Sequence, residues 1–261
     1  MHHILLEDVL FQGNEAAESG GGIQVRGGFR LSFSNVTFRD NRAMQNGVAI
    51  SIRLIEASPA VIEMNDTIIE SSHADSHGGA IHCSEVSGES VSLDMKRVRF
   101  MRSSAYGNGG AIFYGCQSLK ITNSSFQSSS AFGGNGGALH LGRELECRDE
   151  DGMKEVVSFR DVQFYDNTAK MGAVAFFDAE LPTCAIPYLE GSPNVFVASK
   201  PSVWSWEDFN TSVSGNAAVL GNLQATTPVN IKLFCAGTSA LLLEPSPGPI
   251  LCVKLVLQKQ A

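Results

Sequence analysis

Two carboxylates, Asp40 and Glu70, lie at matching points of a repeated sequence pattern, each two residues after an apolar residue, Phe38 or Ile68. If the copies of the pattern stack on one another, the two side chains lie one strand spacing apart. A retaining glycosidase holds its two catalytic carboxyl groups at a similar separation. Glycan cleavage is therefore one chemistry to weigh, but an isolated pair on a solvated turn is the simpler interpretation. We predict no catalytic residue.

Imidazole and carboxylate groups are concentrated in the segment that follows Glu70. They are His73, Asp75, His77 and His82. Such side chains can ligate a transition metal, but their spacing matches no known ligand signature, and a solvated cluster is the simpler interpretation. A second acidic run, at residues 149–151, has the chemistry to attract calcium, although a charged solvated loop explains it without an ion. We predict no metal site and no cofactor.

Four Asn-x-Ser/Thr sequences are acceptors for N-glycosylation. They begin at Asn35, Asn65, Asn123 and Asn210. The first three share an offset of three residues before a repeated apolar residue, so a ladder of Asn and Asp turn residues explains them as well as glycans do. Both interpretations stay open for these three. Asn210 lies in a long insertion and is the strongest candidate.

The cysteines are even in number, and their positions relative to the repeated residues suggest pairing. They fall into three sequential pairs: Cys83 with Cys116, Cys147 with Cys184, and Cys235 with Cys252. Three sequential disulfides would indicate an oxidising compartment. Six buried thiols are the alternative.

Two tryptophans, Trp204 and Trp206, lie two residues apart in the same long insertion as Asn210. On a strand they would point to the same side and offer a flat surface to a sugar or a protein. The alternative role is to attach the insertion to its scaffold. We take them as candidate binding residues.

The positions of these side chains depend on a repeated unit that is clearest around Phe100. A polar residue follows three positions later (Ser103), an alanine five later, and a Gly-Gly-Ala-Ile run that ends twelve later. The copies are anchored at Phe11, Phe38, Ile68, Phe100, Phe126 and Phe164. The corresponding polar residues are Asn14, Asn41, Ser71, Ser103, Ser129 and Asn167. Stacked amides or hydroxyls at this point can satisfy backbone groups that a turn leaves open.

Apolar residues alternate within short runs of each unit. Around Phe100 the runs are Leu93 with Met95, Val98 with Phe100, and Ile112 with Tyr114. A period of two predicts three strands per repeat, and the absence of helical periodicity in these repeats excludes a doubly wound α/β fold. We predict an all-β fold, a right-handed parallel β-helix (solenoid) of about six to seven three-strand coils, with a β-rich C-terminal cap or extension.

The predicted domains follow from the extent of the repeats. Residues 1–180 form the β-helix repeats, residues 181–227 a long insertion and a degraded last coil, and residues 228–261 a β-rich cap or the start of a next module. The insertions at residues 142–155 and 182–208 are where we expect binding residues, because loops vary while the repeated unit stays constant.

Composition limits the classes of partner. The chain has 19 Lys and Arg against 27 Asp and Glu, a net charge of -8, which argues against nucleic acid or an anionic membrane. No apolar run approaches the roughly 18 residues that span a bilayer, so we predict no membrane insertion by this chain. The first residues lack the pattern of a signal peptide, and we expect a piece of a longer protein or a mature product.

Two motifs alternate along the chain: Gly-Gly-Ala-Ile at residues 78–81 and 109–112, and Phe-x-x-Asn at residues 11–14, 38–41 and 164–167. They resemble the repeats of the chlamydial polymorphic outer membrane proteins, over roughly residues 4–180. The resemblance implies a surface-exposed or secreted β-helix, often an adhesin. The sequence shows no autotransporter barrel of the kind the bacterial proteins carry, which favours a fragment or a eukaryotic-type extracellular protein.

From the repeats and the resemblance we expect a non-enzymatic, extracellular or cell-surface module with a structural or adhesive role: a surface rod, a spacer or an adhesin segment. The expected partners are other extracellular protein subunits or cell-surface glycans, with end-to-end or lateral assembly. One alternative is a carbohydrate-active β-helix of the polysaccharide lyase or hydrolase type. Another is a subunit of an extracellular filament.

Overall fold

The computed structural model describes residues 2–26, 29–53, 59–84, 91–116, 118–141, 157–177, 212–220, 224–226, 232–234 and 254–256. Every regular element in these ranges is a β-strand. Four parallel sheets run along the molecule, and each takes one strand from successive turns of the chain. This arrangement confirms the predicted all-β parallel β-helix.

Sheets 1 and 2 contain the longer strand and the first short strand of each coil. Sheet 1 stacks β1 (His2–Glu7), β5 (Phe29–Ser34), β9 (Ala60–Asn65), β13 (Val91–Lys96), β17 (Ser118–Thr122) and β21 (Val157–Arg160). Sheet 2 stacks β2 (Leu10–Gln12), β6 (Thr37–Arg39), β10 (Ile68–Glu70), β14 (Arg99–Met101), β18 (Ser125–Gln127), β22 (Gln163–Tyr165) and β25 (Ser212–Ser214).

Sheets 3 and 4 complete each coil. Sheet 3 stacks β3 (Glu15–Ala16), β7 (Arg42–Ala43), β11 (His73–Ala74), β15 (Ser104–Ala105), β19 (Ser130–Ala131), β23 (Thr168–Met171) and β26 (Ala217–Leu220). Sheet 4 stacks β4 (Ile23–Val25), β8 (Ile50–Arg53), β12 (Ile81–Ser84), β16 (Ile112–Gly115), β20 (Leu139–Leu141), β24 (Ala175–Phe177) and β27 (Gln224–Thr226). The described strands thus form seven coils, numbered 1 to 7 from β1 to β27.

Coils 1 to 6 have four strands each, and the seventh has three among the described residues, so the prediction of three strands per coil is wrong. The missed strand is that of sheet 3, which has only two residues in coils 1 to 5, for example Ser104–Ala105. Two residues are too few to show an alternation of apolar and polar side chains, so periodicity could not reveal this strand. Ala43, Ala74 and Ala105 of this sheet are fully buried and form a small cluster with Val48, which explains why Ala recurs at this point.

The strand register corrects the alignment of the third coil. Phe38 pairs with Ile69 and Ile69 with Phe100, so Ile69, and not the predicted Ile68, occupies the position of the repeated Phe. Ile69 is fully buried, whereas Ile68 is half-buried. The two adjacent isoleucines made the position ambiguous in the sequence. The polar residue of this coil is consequently Ser72 and not Ser71.

The core fills the space between the sheets with ladders of like residues. Phe100, Phe126 and Phe164 stack face to face, with ring centroids 4.5 Å and 5.1 Å apart. Phe11 and Phe38 stack in the same way at 4.8 Å. Each such fully buried side chain stabilises the fold by roughly 1.5–3 kcal/mol, and the stacked geometry adds to this burial.

The polar ladder works through its amides. Asn41 accepts a hydrogen bond from the Asn14 backbone N–H through Oδ1 (2.9 Å) and donates one to the Phe11 carbonyl through Nδ2 (2.9 Å). Asn167 makes the equivalent two bonds to the coil before it. The coils between them carry buried hydroxyls without a partner among the described residues: Ser72, Ser103 and Ser129. The predicted role is therefore met by the asparagines and not by the serine hydroxyls.

The contacts divide the chain into two units, Met1–Thr226 and Thr227–Ala261. The second unit contains β28 (Lys232–Phe234) and β29 (Lys254–Val256), which pair antiparallel. The predicted boundaries at residues 180 and 227 stay predictions. Within the described ranges, no helix has the length and apolar character that crossing a bilayer requires.

Candidate functional site

The predicted carboxylate pair does not form. Glu70 pairs in register with Arg39, and Asp40 lies one position further along its coil, because the third coil is anchored at Ile69. The Glu70 carboxylate contacts Arg39 (Nε to Oε2, 3.0 Å) and Arg102. Burial opposes ionisation of this carboxyl, but the hydrogen bonds from the two arginines outweigh it and hold the pKa of Glu70 below its ordinary value. A carboxylate bound on both sides in this way is a structural link between three coils.

The histidine cluster separates into individual contacts. His73 bonds to Ser104 Oγ through Nδ1 (2.9 Å) and lies 3.2 Å from Asp75 Oδ1 through Nε2. His77 accepts a hydrogen bond from the Asn108 backbone N–H (2.9 Å). Among the described residues, no three His, Cys, Asp or Glu side chains are grouped to hold a metal ion. The acidic run at residues 149–151 lies outside the described residues.

One predicted disulfide is present. Cys83, on β12, is bonded to Cys116, which follows β16 on the next coil, with Cα atoms 5.9 Å apart. The bond therefore cross-links coils 3 and 4. The remaining cysteines lie outside the described residues: Cys147, Cys184, Cys235 and Cys252.

The sequon asparagines do not all share one position. Asn35 and Asn123 are exposed and adopt left-handed backbone angles (φ 53° and 48°) at the turn between sheets 1 and 2. In coil 3 the residue at this turn is Asp66 (φ 52°), so the predicted match of Asn65 to the other two is wrong. Asn65 is half-buried and ends β9. Asn210 lies outside the described residues, as do Trp204 and Trp206.

The ladder of Asn and Asp turn residues, which is the alternative to glycosylation at these positions, is present in the structure. Its members all have a positive φ: Asp8, Asn35, Asp66, Arg97, Asn123 and Asp161. Asn35 donates a hydrogen bond from Nδ2 to Asp8 Oδ1 (2.7 Å), and Arg97 binds Asp66 through Nε and Nη2 (2.5 and 2.6 Å). Asn and Asp tolerate this conformation better than other non-glycine residues.

The outer face of sheet 4 carries a column of side chains that alternate with the core residues. In coils 3 to 6 the column consists of stacked rings: His82, Phe113, His140 and Phe176, with neighbouring centroids 5.1, 4.9 and 5.2 Å apart. The register places Phe113 between His82 and His140. In coils 1 and 2 the same column holds the smaller or more flexible polar residues Gln24 and Ser51.

The turn between sheets 3 and 4 folds over this column. Gly47 lies directly against His82, since a Cβ atom on Gly47 would be 2.8 Å from the His82 Cβ. Gly47 also has a left-handed φ of 56°. A glycine is thus required here on both steric and conformational grounds. The covering turn is what buries ring side chains that point away from the core.

Where the column holds Gln24 and Ser51, a polar groove of about 290 Å³ opens between the covering turn and sheet 4. Its floor consists of Gln24, Ser51 and His82. One wall comes from the turns of coils 1 and 2, including Glu18 and Gln45. The sequence interpretation missed this groove, although comparison of the column residues from coil to coil would have shown where ring side chains give way to polar ones.

The opposite wall of the groove is basic. It is formed where the strands of sheet 4 end, by Arg26, Arg53 and Ser84. Arg53 pairs in register with Ser84, and Arg26 follows Val25, the partner of Ile52. Arg26, Arg53 and Ser84 therefore lie on three successive coils, whose strands are about 4.8 Å apart. Arg26 lies 3.9 Å from Glu18, a loose contact, whereas Arg53 forms no ion pair with any described residue.

His82 is, with Ser51, one of the two buried polar residues that line the groove. The residue is 8% exposed, and its Nδ1 is buried with no hydrogen-bond partner among the described residues. Burial, followed by the charges of His77 and Arg53, lowers the pKa of His82 to about 4. The imidazole is thus neutral at physiological pH, with one nitrogen able to donate and the other able to accept.

Comparison with protein-family models gives a match in the first coil. Residues 8–26 match the model of the Chlamydia polymorphic membrane protein (Chlamydia_PMP) repeat. Searches of curated proteins and of solved structures gave no significant match to the chain. The matched segment covers β2, β3 and β4, with Phe11 and Asn14 at the positions that the register repeats in later coils. The predicted resemblance to this repeat is confirmed for residues 8–26.

Proposed function

We propose that the chain is a non-enzymatic, surface-exposed adhesive module. The observation that carries this proposal is the polymorphic membrane protein repeat at residues 8–26, whose pattern of strands is continued through seven coils. Proteins with this repeat in Chlamydia are surface proteins of an adhesin-like kind. A rigid β-helix holds any binding surface at a fixed distance along one axis.

The charged residues support a scaffold role over catalysis. Four of the described acidic side chains are held by arginines of neighbouring coils: Glu63 by Arg30, Glu70 by Arg39 and Arg102, Asp66 by Arg97, and Asp75 by Arg42. Hydrogen bonds from Arg30 hold the pKa of Glu63 below its ordinary value. A general acid needs a raised pKa, and these shifts run in the opposite direction.

The disulfide supports an extracellular location. Cys83 and Cys116 are bonded within the core region, and such bonds persist in oxidising environments and are rare in the cytosol of most organisms. We therefore place the chain at the cell surface or outside the cell. The partners we propose are cell-surface glycans or other extracellular protein subunits.

The test combines binding with an activity screen. Purified full-length chain is labelled and titrated onto cultured epithelial cells, with an acidic globular protein of similar size as the control. The same preparation is incubated with acidic polysaccharides, and new reducing ends and unsaturated products are measured. Saturable binding without polysaccharide cleavage supports the proposal. Cleavage above the control, or binding no greater than the control, overturns it.

End-to-end assembly is a second candidate function, favoured by the first coil. Ile4, Leu5 and Leu10 are each more than half exposed, and β1 and β2 pair on one side only among the described strands. An unpaired strand edge with exposed apolar side chains favours association with another chain. Sedimentation velocity tests this: the Leu5→Glu variant should shift an oligomer to monomer, and a monomeric unaltered chain at all concentrations would exclude assembly.

A further inference from the structure

We propose that the groove formed by coils 1 to 3 on the outer face of sheet 4 binds a carboxylated sugar unit, with Arg53 and Arg26 contacting the carboxylate and His82 and Ser51 contacting ring hydroxyls. This inference rests on the proposed adhesive function, because it names a ligand class for the module. It does not depend on the irregular insertions, where the sequence led us to expect binding.

The size and lining of the groove suit a sugar. Its volume of about 290 Å³ is near the lower limit of known small-molecule pockets, which begin at roughly 300 Å³. Amide and hydroxyl groups surround it, among them Gln24, Gln45, Ser51 and Ser84. Groups that both donate and accept hydrogen bonds match the hydroxyls of a sugar ring, whereas a fully ionised inorganic anion only accepts them.

The two arginines supply the preference for a carboxylate. A guanidinium has its N–H groups in a planar fork that matches a carboxylate with two parallel hydrogen bonds. Arg53 has no ion-pair partner among the described residues, and the single contact of Arg26 with Glu18 is loose at 3.9 Å. Among the described residues, this one loose contact is the only ion pair that a ligand bound to the two arginines would replace. The net charge of -8 disfavours long polyanions, and a single carboxylate enclosed by two arginines avoids that repulsion.

His82 adds an independent indication that a ligand belongs here. Its buried Nδ1 has no hydrogen-bond partner among the described residues, and the residue lines the groove. Because Nδ1 is closed to solvent, a ligand hydroxyl in the groove would contact the other ring nitrogen, Nε2, which is not among the buried atoms. The lowered pKa of the imidazole keeps it neutral and suited to a hydroxyl.

The ring column closes one end of the groove. His82 stacks on Phe113 at 5.1 Å, and His140 and Phe176 fill the column beyond it. The groove is lined only by residues of coils 1 to 3, the last of them Ser84. A bound sugar unit would thus meet a wall of rings on one side, which suits a terminal unit of a glycan better than one inside an unbranched chain.

The test uses two sugars that differ at one carbon. Methyl glucuronide and methyl glucoside share a ring and differ only in the carboxylate or hydroxymethyl group at C6. Titration of the unaltered full-length chain by calorimetry or ligand-observed NMR should show at least tenfold tighter binding of the glucuronide. Equal affinity for the two sugars would overturn the proposal. So would equal binding of methyl glucoside 6-sulfate or inorganic phosphate, because the groove would then be a general anion site.

Three variants assign the contacts. Arg53→Gln should reduce the affinity for the glucuronide at least tenfold and remove the preference over the glucoside. Arg99→Gln makes the same charge change on an exposed residue of sheet 2 outside the groove and should leave both affinities unchanged. His82→Phe should lower the affinity for both sugars by the same factor. The fold should be kept, since Phe113 occupies the equivalent position one coil later. Unchanged binding by Arg53→Gln would overturn the assignment.

The sugar-site proposal and the adhesive proposal can be overturned independently of each other. If the glucuronide preference is absent while the chain still binds cells, the groove proposal is wrong and the adhesive proposal stands. If the glucuronide binds as expected while the chain does not bind cells, the adhesive proposal is wrong and the groove is a sugar site of another function.

Discussion

The imidazole of His82 lies flat against the ring of Phe113, with centroids 5.1 Å apart and planes inclined by 14°. This stack is the boundary between two halves of one column. On one side the column is filled by rings, and on the other it opens into the polar groove. One residue thus belongs both to the packing of the scaffold and to the candidate binding site.

The first prediction separates these two roles of His82. His82→Phe keeps a ring on Phe113 and removes a buried nitrogen that lacks a partner, so its free energy of unfolding should equal or exceed that of the unaltered chain. His82→Ala removes the ring and leaves a cavity, which should cost about 2–4 kcal/mol. Denaturant unfolding followed by circular dichroism measures both. A His82→Phe variant as unstable as His82→Ala would contradict the description of the stack.

The second prediction concerns pH. The pKa of His82 is lowered from 6.5 to about 4 in the folded chain, by burial first and then by His77 and Arg53. The unfolded chain therefore binds more protons, and stability falls as the pH is lowered from 6.5 towards 4. A shift of this size corresponds to about 3 kcal/mol at most. His82→Phe should lack this component, and its stability should depend less on pH than that of the unaltered chain.

The carboxylates act in a different pH range, which separates the two effects. Folding lowers the pKa values of Glu63 and Glu70 below 4.5, so their contribution is complete above 4.5 and is lost only below it. Unfolding measurements between pH 6.5 and 4.5 thus report mainly on histidines. If His82→Phe and the unaltered chain lose the same stability over this range, protonation of His82 is not the cause.

The fold was predictable wherever a residue type recurs at a fixed register. The unit around Phe100 was sufficient to predict sheets 1, 2 and 4, because buried residues there alternate with exposed ones. The same reasoning placed the third coil one residue too early, since Ile68 and Ile69 are both apolar and only packing distinguishes them. The strand Ser104–Ala105 was missed because two residues are too few to show an alternation of apolar and polar side chains.

The candidate site was less predictable, because it depends on which side of a strand is covered. The sequence suggested Glu70 as one member of a carboxylate pair, whereas the structure places Glu70 between Arg39 and Arg102. The groove exists because Gln24 and Ser51 replace rings in a column that the covering turn buries. No single repeat contains that information, since the difference lies between coils.

A third prediction concerns the polar ladder. Ser103→Asn should stabilise the chain by about 1 kcal/mol, because an amide at this position can make the two backbone bonds that Asn41 makes in its own coil, where the buried Ser103 hydroxyl makes none among the described residues. Ser92→Asn, on the outer side of sheet 1, is the matched control and should change little. A Ser103→Asn variant less stable than the unaltered chain would show that the coil cannot accommodate the amide.

The fourth prediction concerns the disulfide. Cys83 and Cys116 are 33 residues apart, and replacing both by alanine should lower the free energy of unfolding by about 3 kcal/mol. Non-reducing peptide mapping should recover the two cysteines in one cross-linked pair of peptides. The same map tests the predicted Cys147–Cys184 and Cys235–Cys252 bonds. Recovery of Cys83 and Cys116 as free thiols from protein kept under oxidising conditions would contradict the structure.

The fifth prediction concerns the bridging carboxylate. Glu70→Gln removes the charge that links Arg39 to Arg102, and it should cost no more than about 1 kcal/mol because the arginine side chains are 46% and 60% exposed. The cost should shrink in 1 M salt, where exposed charges are screened. A large loss that does not change with salt would mean that Glu70 has a role other than this ion pair.

The decisive test of the proposed adhesive function is the binding of the purified, labelled chain to cell surfaces. Titrated onto epithelial cells at fixed cell density, the chain should bind saturably, and an excess of unlabelled chain should displace it. A signal that rises linearly with concentration, resists displacement and equals that of an acidic control protein would contradict the proposed adhesive function.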